Sequence, residues 1–180
     1  MILLGEKALS IEDVVKIACF YETVELSDSA VKKINSSNKL LERIVNADEP
    51  VYGINTGFGI FADRRIKAEE SSTLSRNLIL SHAVGTGDPL PDEVVRAAML
   101  IRANTLAKGF SGVRIAIIDT LIQMLNKQIT PVIPSQGSLG SSGDLCQLSH
   151  LALVLTTDKN DIDDESGCAK FGGKLMTGKD

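Results

Sequence analysis

The chain has 180 residues, a length typical of a single domain that can bury an apolar core. Hydrophobic residues make up 43% and the net charge is −4, which excludes a disordered chain and a basic nucleic-acid surface. No signal peptide opens the chain, and no apolar run approaches the roughly 18 residues of a membrane span. We therefore expect no nucleic-acid or membrane partner. The cysteines are widely spaced, which predicts neither a metal site nor a disulfide framework and favours a reducing cytoplasm: Cys19, Cys146 and Cys168.

The spacing of apolar residues predicts six helices and little strand, and therefore a mainly α chain. The first helix starts at Ser10, where Ser10 and Asp13 have the spacing of a capping box. A later helix starts at Pro91, because proline and two following acids suit a helix N-terminus. The helices after the first are expected at 29–45, 71–83, 91–108, 112–126 and 142–155.

The connecting segments are rich in glycine and proline. Residues 51–59 contain three glycines, which predicts a mobile loop after a short extended segment. Residues 130–134 are predicted to be extended, and residues 169–176 to form a short hairpin. The chain stops at Asp180 in a polar turn, so we expect a fragment or one module of a larger protein.

The segment Ser141-Ser142-Gly143-Asp144 has two possible structures. Glycine bends where other residues cannot, so the Gly143 nitrogen can attack the Ser141 carbonyl and close a ring. Loss of water and of the Ser142 hydroxyl would leave a methylene electrophile. The same four residues also match a capping box ahead of the apolar run 145–155.

Three side chains near glycine or apolar segments are further candidates. His150 lies on an apolar helix, which predicts a half-buried histidine with its hydrogen bonds satisfied. His82 ends a helix just before Gly85 and Gly87, where its side chain can face a cleft. Tyr52 precedes the glycine loop and either packs there or acts as a general base, which requires nearby positive charge or helix N-termini.

Several short patterns fail the tests for familiar sites. The segment 108–111, Lys-Gly-Phe-Ser, lacks the upstream glycine of a phosphate loop. Residues 85–87 lack the third glycine of a dinucleotide site, and residues 140–143 lack the spacing of a nucleophile elbow. The acidic residues between 158 and 165 have no glycine at the turn of a calcium loop.

Four motifs in sequence order cover nearly the whole chain. They read YGINTGFG at 52–59, RNLILSHAVGTG at 76–87, RANTLAKGFSGVR at 102–114 and PVIPSQGSLGSSGDL at 131–145. Together they resemble the histidine/phenylalanine ammonia-lyase family, whose members build a methylidene-imidazolone electrophile from their own backbone. The resemblance implies the N-terminal part of the fumarase/aspartase-like ammonia-lyase fold, with short strands near the glycine loop and the C-terminal tail.

The resemblance also implies the site residues. Ser141, Ser142 and Gly143 would form the 4-methylidene-imidazol-5-one, with no external cofactor and no metal. Tyr52 would remove the β-proton of the substrate, and His82 would select its side chain, since Ser81-His82 resembles the histidine-specific branch. The sequence departs from the family at Ser141, where alanine is usual, and at 146–147, where Cys-Gln replaces Ala-Pro.

The expected reaction is elimination of ammonia from L-histidine to give urocanate. A tyrosine or phenylalanine lyase and an aminomutase are alternatives within the family, and a truncated, non-catalytic binding or scaffold protein is an alternative outside it. Family members continue into long helices that form the core of a homotetramer. We therefore expect residues 1–180 to be the electrophile-bearing domain without its C-terminal helical region. The isolated chain is expected to be inactive, with its triad uncyclised as a plain helix cap.

Overall fold

The computed structural model describes residues 1–47, 49–59, 62–157 and 165–180. Its helices are α1 (Ile11–Ala18), α2 (Asp28–Val45), α3 (Ala68–His82), α4 (Asp92–Ala107), α5 (Ile115–Asn126) and α6 (Leu145–Leu155). Its strands are β1 (Ile2–Leu4), β2 (Val24–Leu26), β3 (Thr86–Pro89), β4 (Thr130–Pro131), β5 (Pro134–Gln136), β6 (Cys168–Phe171) and β7 (Lys174–Thr177). The mainly α prediction is confirmed. The acidic run at 158–164 lies outside the described residues.

Helix α4 is the centre of the core. Its buried side chains recur at helical spacing, with Val95, Met99, Ala103 and Ala107 on one face. This helix packs against α1, α2 and α5, and the small alanines at its C-terminal end allow close approach. The resulting cluster extends from Leu4 in β1 to α6.

A fully buried arginine joins three of these helices. The Arg96 guanidinium donates hydrogen bonds to the carbonyls of Ile17 (2.8 Å), Ala18 (3.1 Å) and Leu125 (3.1 Å). These carbonyls belong to the last turns of α1 and α5, which lack partners within their own helices. The guanidinium also lies 4.4 Å from the ring centre of Tyr21. Burial lowers the pKa of Arg96, but the carbonyl oxygens and the aromatic face compensate the buried charge.

The first helix start is confirmed in detail. The Ser10 hydroxyl accepts the Asp13 N–H, and the Asp13 carboxylate accepts the Ser10 N–H, each at 3.1 Å. The hydrogen bond from the Ser10 backbone lowers the pKa of Asp13. By contrast, α5 begins at Ile115 instead of residue 112, because Gly112 has a left-handed φ of +70° that a helix cannot include.

Three small sheets complete the fold. The parallel pair β1–β2 and the antiparallel pair β3–β5 were not predicted from the sequence, whereas the β6–β7 hairpin was, and it adds to β4. Near the glycine loop, extended pairing consists of an isolated bridge between Thr56 and Arg65. Buried Asn55 fixes this loop through its amide group, which bonds to the backbone of Val51 and Glu49.

The described ranges contain neither a membrane-spanning helix nor a cluster of metal ligands. No helix there has both the length and the apolar character needed to cross a membrane. Likewise, no group of three or more His, Cys, Asp or Glu side chains in those ranges is arranged to hold a metal ion.

Candidate active site

The serine–glycine triad lies in an exposed loop between β5 and α6. Gly140 and Gly143 have left-handed φ values of +92° and +73°, and the side chains of Ser141 and Ser142 are exposed. The hydroxyl of Ser138 donates a hydrogen bond to the Gly143 carbonyl. A local side-chain bond therefore fixes this turn just before the helix.

The predicted capping box at Ser141 and Asp144 is wrong. Helix α6 begins at Leu145, its N-cap is Asp144, and no side chain caps it. The left-handed Gly143 keeps the preceding residues out of the helix. The Asp144 carboxylate lies 3.4 Å from the Arg102 guanidinium instead, in a pair that is partly exposed and therefore weak.

The backbone of the triad leaves free the two groups that would close a ring. In the ranges described, neither the Gly143 N–H nor the Ser141 carbonyl makes a hydrogen bond. A Cβ at position 143 would lie 3.1 Å from the Ser138 hydroxyl, so glycine also suits the space. These residues fit a ring derived from the backbone, and their role as the triad stays a prediction.

The strand pair β3–β5 places the end of α3 beside the triad loop. Thr86 pairs with Gln136, and Pro89 pairs with Pro134. After His82 the chain enters β3, and β3 runs alongside β5, the strand that precedes the loop of Ser141. Gly85 lies at the closest approach, where an added Cβ would be 3.0 Å from Pro134 and 2.9 Å from the imidazole of His150.

His150 connects α6 to this same segment. Its Nε2 accepts the Gly85 N–H at 2.9 Å, which requires Nε2 to be unprotonated. Burial lowers the pKa of His150 and so favours this neutral form. The predicted half-buried position is confirmed, and the hydrogen bond at Nε2 agrees with the expected satisfied imidazole.

His82 is the last residue of α3 and is half-buried. Its Nδ1 lies 2.8 Å from the Leu78 carbonyl and 3.0 Å from the Ser81 hydroxyl. Since a carbonyl only accepts, the Leu78 contact assigns the ring proton to Nδ1. The Nε2 atom is then an acceptor, and it makes no hydrogen bond to any described residue.

Tyr52 lies at the start of the glycine loop. Its side chain is 64% exposed and makes an edge-to-face contact with Phe58, with 6.1 Å between ring centres. No hydrogen bond or ring contact joins it to Ser141, Ser142 or Gly143 in the described part of the chain. The structure thus brings the segment after His82 to the strand that leads into the triad loop.

Cys146 packs directly under the triad loop. It is buried, and a Cβ at Gly137 would lie 2.5 Å from its sulfur, so the loop passes over the thiol without room for a side chain. Sequence analysis missed this contact, as it missed Ser138 and Arg102. Both lie within the quoted motifs, but spacing gave no sign that Arg102 meets a residue 42 positions away.

The chain matches the family model described as aromatic amino acid lyase over residues 9–180. It is 54% identical to the histidine ammonia-lyase of Caldanaerobacter subterraneus subsp. tengcongensis over 147 residues, which cover 82% of this chain and 29% of that protein. It is 50% identical to the Bacillus subtilis histidine ammonia-lyase over 155 residues, with 86% and 30% covered.

Solved structures agree with these relatives. The ergothionase of Treponema denticola superposes with a TM-score of 0.90 at 32% identity, covering 99% of this chain and 34% of that chain. The histidine ammonia-lyase of Trypanosoma cruzi gives a TM-score of 0.83 at 32% identity, with 98% and 33% covered. The chain spans about a third of the length of the proteins it matches. The resemblance drawn from the four motifs is therefore confirmed, and the chain belongs to the aromatic amino acid lyase family.

Proposed function

We propose that the protein carrying this chain eliminates ammonia from L-histidine to give urocanate. The observation that carries the proposal is the β3–β5 pairing, which lays the segment after His82 against the strand that leads into the loop of Ser141, Ser142 and Gly143. A substrate-selecting side chain and an electrophile need to lie close to each other. The identity of 44–54% to several histidine ammonia-lyases supports histidine as the substrate.

The triad would supply a methylidene-imidazolone, an electrophile that no ordinary side chain provides. Gly143 contributes an unbonded amide nitrogen and Ser141 an unbonded carbonyl, while Ser142 would lose its hydroxyl as water. Ser138 holds the Gly143 carbonyl in the turn. The N-terminus of α6 begins two residues beyond Gly143, and its positive end favours electron withdrawal from this loop.

His82 is suited to choosing an imidazole side chain. With its proton held on Nδ1 by the Leu78 carbonyl, Nε2 presents an acceptor to the N–H of a substrate imidazole. A phenyl ring has no such donor and would leave the acceptor unpaired. A site built around a hydrogen bond rejects an analogue that lacks it more strongly than an apolar pocket rejects a misfit.

Tyr52 is proposed as the base that takes the β-proton. Its exposed side chain contacts Phe58 of the same loop, so a change of the glycine loop can carry it toward the substrate. Gly53, with a φ of +76°, gives the backbone next to Tyr52 a conformation that other residues rarely adopt.

We also propose that the whole protein works in the cytoplasm as a homotetramer. The 180-residue chain by itself is expected to be inactive and to keep its triad uncyclised, because a strained turn persists only where the surrounding fold supports it. The uncyclised form is an exposed turn and not the helix cap expected from the sequence.

Intact mass and product analysis test the proposal together. The whole protein should be lighter than its sequence mass by two water molecules and should convert L-histidine to urocanate. Ser142→Ala should prevent formation of the ring, so that the variant no longer lacks the mass of two waters, and should abolish turnover. L-phenylalanine, L-tyrosine and ergothioneine serve as comparison substrates.

Each other result contradicts the proposal in a different way. A β-amino acid product would make the protein an aminomutase, and faster turnover of another substrate would transfer the assignment to that substrate. A full sequence mass with no turnover would favour the binding or scaffold alternative. If the isolated chain is already lighter by two waters, local sequence suffices for ring closure and the argument from missing support is wrong.

A further inference from the structure

A second feature lies along α2, outside the residues of the triad loop. A groove of about 630 Å³ runs between the outer face of α2 and the segment that follows α4. Its main lining side chains are Lys33, Ser36, Leu40, Arg43, Lys108 and Phe110. The sequence pattern at 108–111 failed the test for a phosphate loop, and the proposed reaction uses none of these residues.

The segment after α4 is fixed on α2 by close contacts. The Gly112 N–H donates to the Ser37 hydroxyl at 2.9 Å, and the Asn38 amide donates to the Gly112 carbonyl at 2.8 Å. A Cβ at Gly109 would lie 2.6 Å from the Cβ of Lys33, so only glycine allows this approach. The fixed backbone holds Phe110 in solvent with 90% of its surface exposed.

The groove is uniformly cationic. Lys33, Arg43 and Lys108 make no ion pair with a residue in the described ranges, and no acid stands among the described lining residues. Lys108 follows the C-terminus of α4, where the negative end of the helix dipole stabilises its positive charge. Arg43 lies in the last turn of α2, so the dipole of that helix stabilises its charge in the same way, whereas Lys33 in the middle of α2 has no such partner.

The spacing along α2 identifies the shape of the ligand. Lys33 and Arg43 are ten positions apart, so their backbones are separated by about 15 Å along the helix. Two anionic groups spaced along the groove can contact both side chains without either of them bending along the helix toward the other. Leu40, which is 49% exposed, lies between them on the same face and, with Phe110, forms an apolar centre.

We propose that this groove binds an extended segment of a partner protein that has an acidic residue at each end and an apolar residue between them. An extended chain rises about 3.3 Å per residue and alternates its side chains, so residues 1, 3 and 5 face one side over about 13 Å. Two acids at positions 1 and 5 then reach the cationic ends, and the side chain at position 3 contacts Leu40 and Phe110.

The test is a titration of the isotopically labelled protein with the peptide acetyl-Glu-Ser-Leu-Ser-Glu-amide, followed by NMR. The peptide should shift the amide signals of Leu40, Gly109 and Phe110. Arg43→Glu should weaken its binding by about tenfold or more. The matched control is Lys39→Glu, an exposed site on α2 outside the groove, with the same change of charge and an expected loss of about twofold or less.

Three outcomes would overturn the proposal. Equal weakening by Arg43→Glu and Lys39→Glu would show nonspecific attraction of charge. Equal binding of acetyl-Glu-Glu-Ser-Leu-Ser-amide, which has the same composition but adjacent acids, would contradict the spacing argument. Binding of ATP at these residues without binding of the peptide would make the groove a nucleotide site. Dispersed NMR spectra of both variants would establish that each remains folded.

Discussion

The interior around Arg96 and the loop around Gly143 satisfy their backbone groups in opposite ways. Arg96 is fully buried and bonds to carbonyls on two other helices, 29 to 79 positions away. The Gly143 carbonyl is bonded by a serine five positions away, and the serines of the triad face solvent. Long-range bonds inside the core contribute to global stability, whereas the loop depends on local contacts and can be altered without unfolding the domain.

This contrast separates residues that hold the fold from residues that perform chemistry. The left-handed glycines cost the loop little core packing, because most of the loop is exposed. In the interior, the Arg96 guanidinium is held by carbonyls at the ends of α1 and α5, so its donors serve the packing of the helices. Substitutions in the two regions should therefore have nearly opposite effects on turnover and on the free energy of unfolding.

Tyr52→Phe should have the largest effect. Removing a general base costs on the order of 10²–10⁴ in rate, so kcat for L-histidine should fall by that factor in the whole protein while KM changes little. The free energy of unfolding should stay the same, because the exposed hydroxyl makes no hydrogen bond to a described residue. Steady-state kinetics and urea denaturation check both parts. A variant with near-normal kcat would refute the role of Tyr52.

Arg96→Leu should have the opposite effect. It leaves buried carbonyls at the ends of α1 and α5 without donors, so we expect a loss of about 3–5 kcal/mol in the free energy of unfolding. Urea denaturation measures this loss. Lys16→Leu, on the exposed face of α1, is the matched control with the same change of charge and should cost less than about 0.5 kcal/mol. Similar losses in both variants would contradict the role assigned to the buried bonds.

His82→Leu should lower kcat/KM for L-histidine by about ten- to two-hundredfold, since a lost substrate hydrogen bond or a misfit costs roughly 1–3 kcal/mol. The unfolding midpoint should move little, because His82 lies at a half-buried helix end. His82→Gln keeps an acceptor and should retain more activity on histidine than His82→Leu. Unchanged kinetics in the leucine variant would end the specificity assignment.

His150 offers the smallest and most selective test. His150→Leu removes the acceptor of the Gly85 N–H and should cost about 1–2 kcal/mol of stability, whereas His150→Gln supplies another acceptor and should cost less. Urea denaturation of both variants at neutral pH checks the difference. A glutamine variant as unstable as the leucine variant would show that packing, and not the hydrogen bond, matters here.

His150 should also make the free energy of unfolding depend on pH, and the sign of this dependence follows from its pKa. Burial lowers the pKa of His150, so the unfolded chain binds its proton at a higher pH than the folded chain. The stability from neutral His150 is therefore present above the ordinary histidine value of about 6.5 and is lost as the pH falls toward the lowered value. His150→Gln should flatten this part of the curve of unfolding free energy against pH. An unchanged slope would assign the dependence to other groups.

Local patterns in the sequence predicted local structure well. The capping box of α1 involves residues three positions apart, and the β6–β7 hairpin joins adjacent segments, so both were found. The parallel β1–β2 pair escaped prediction because its strands are separated by α1 and each has three residues. The start of α6 was misplaced because Gly143 adopts a left-handed φ of +73°, which the sequence of serines and glycine permits but does not require.

The candidate site shows the same division. The triad and its neighbours were found from the chemistry of serine and glycine together with the four motifs. The tie between Gly85 and His150 was not, because it depends on how α3 and α6 pack and joins residues 65 positions apart.

The buried Arg96 has a consequence for the order of folding. Its partners in α1 are 78 and 79 positions away and its partner in α5 is 29 positions away, so its three bonds require three helices to be assembled already. Contacts of such sequence separation are expensive in chain entropy and form late. Interactions that are absent from the transition state mainly slow unfolding. Arg96 should therefore slow unfolding and so lengthen the lifetime of the native state, while the folding rate stays nearly unchanged.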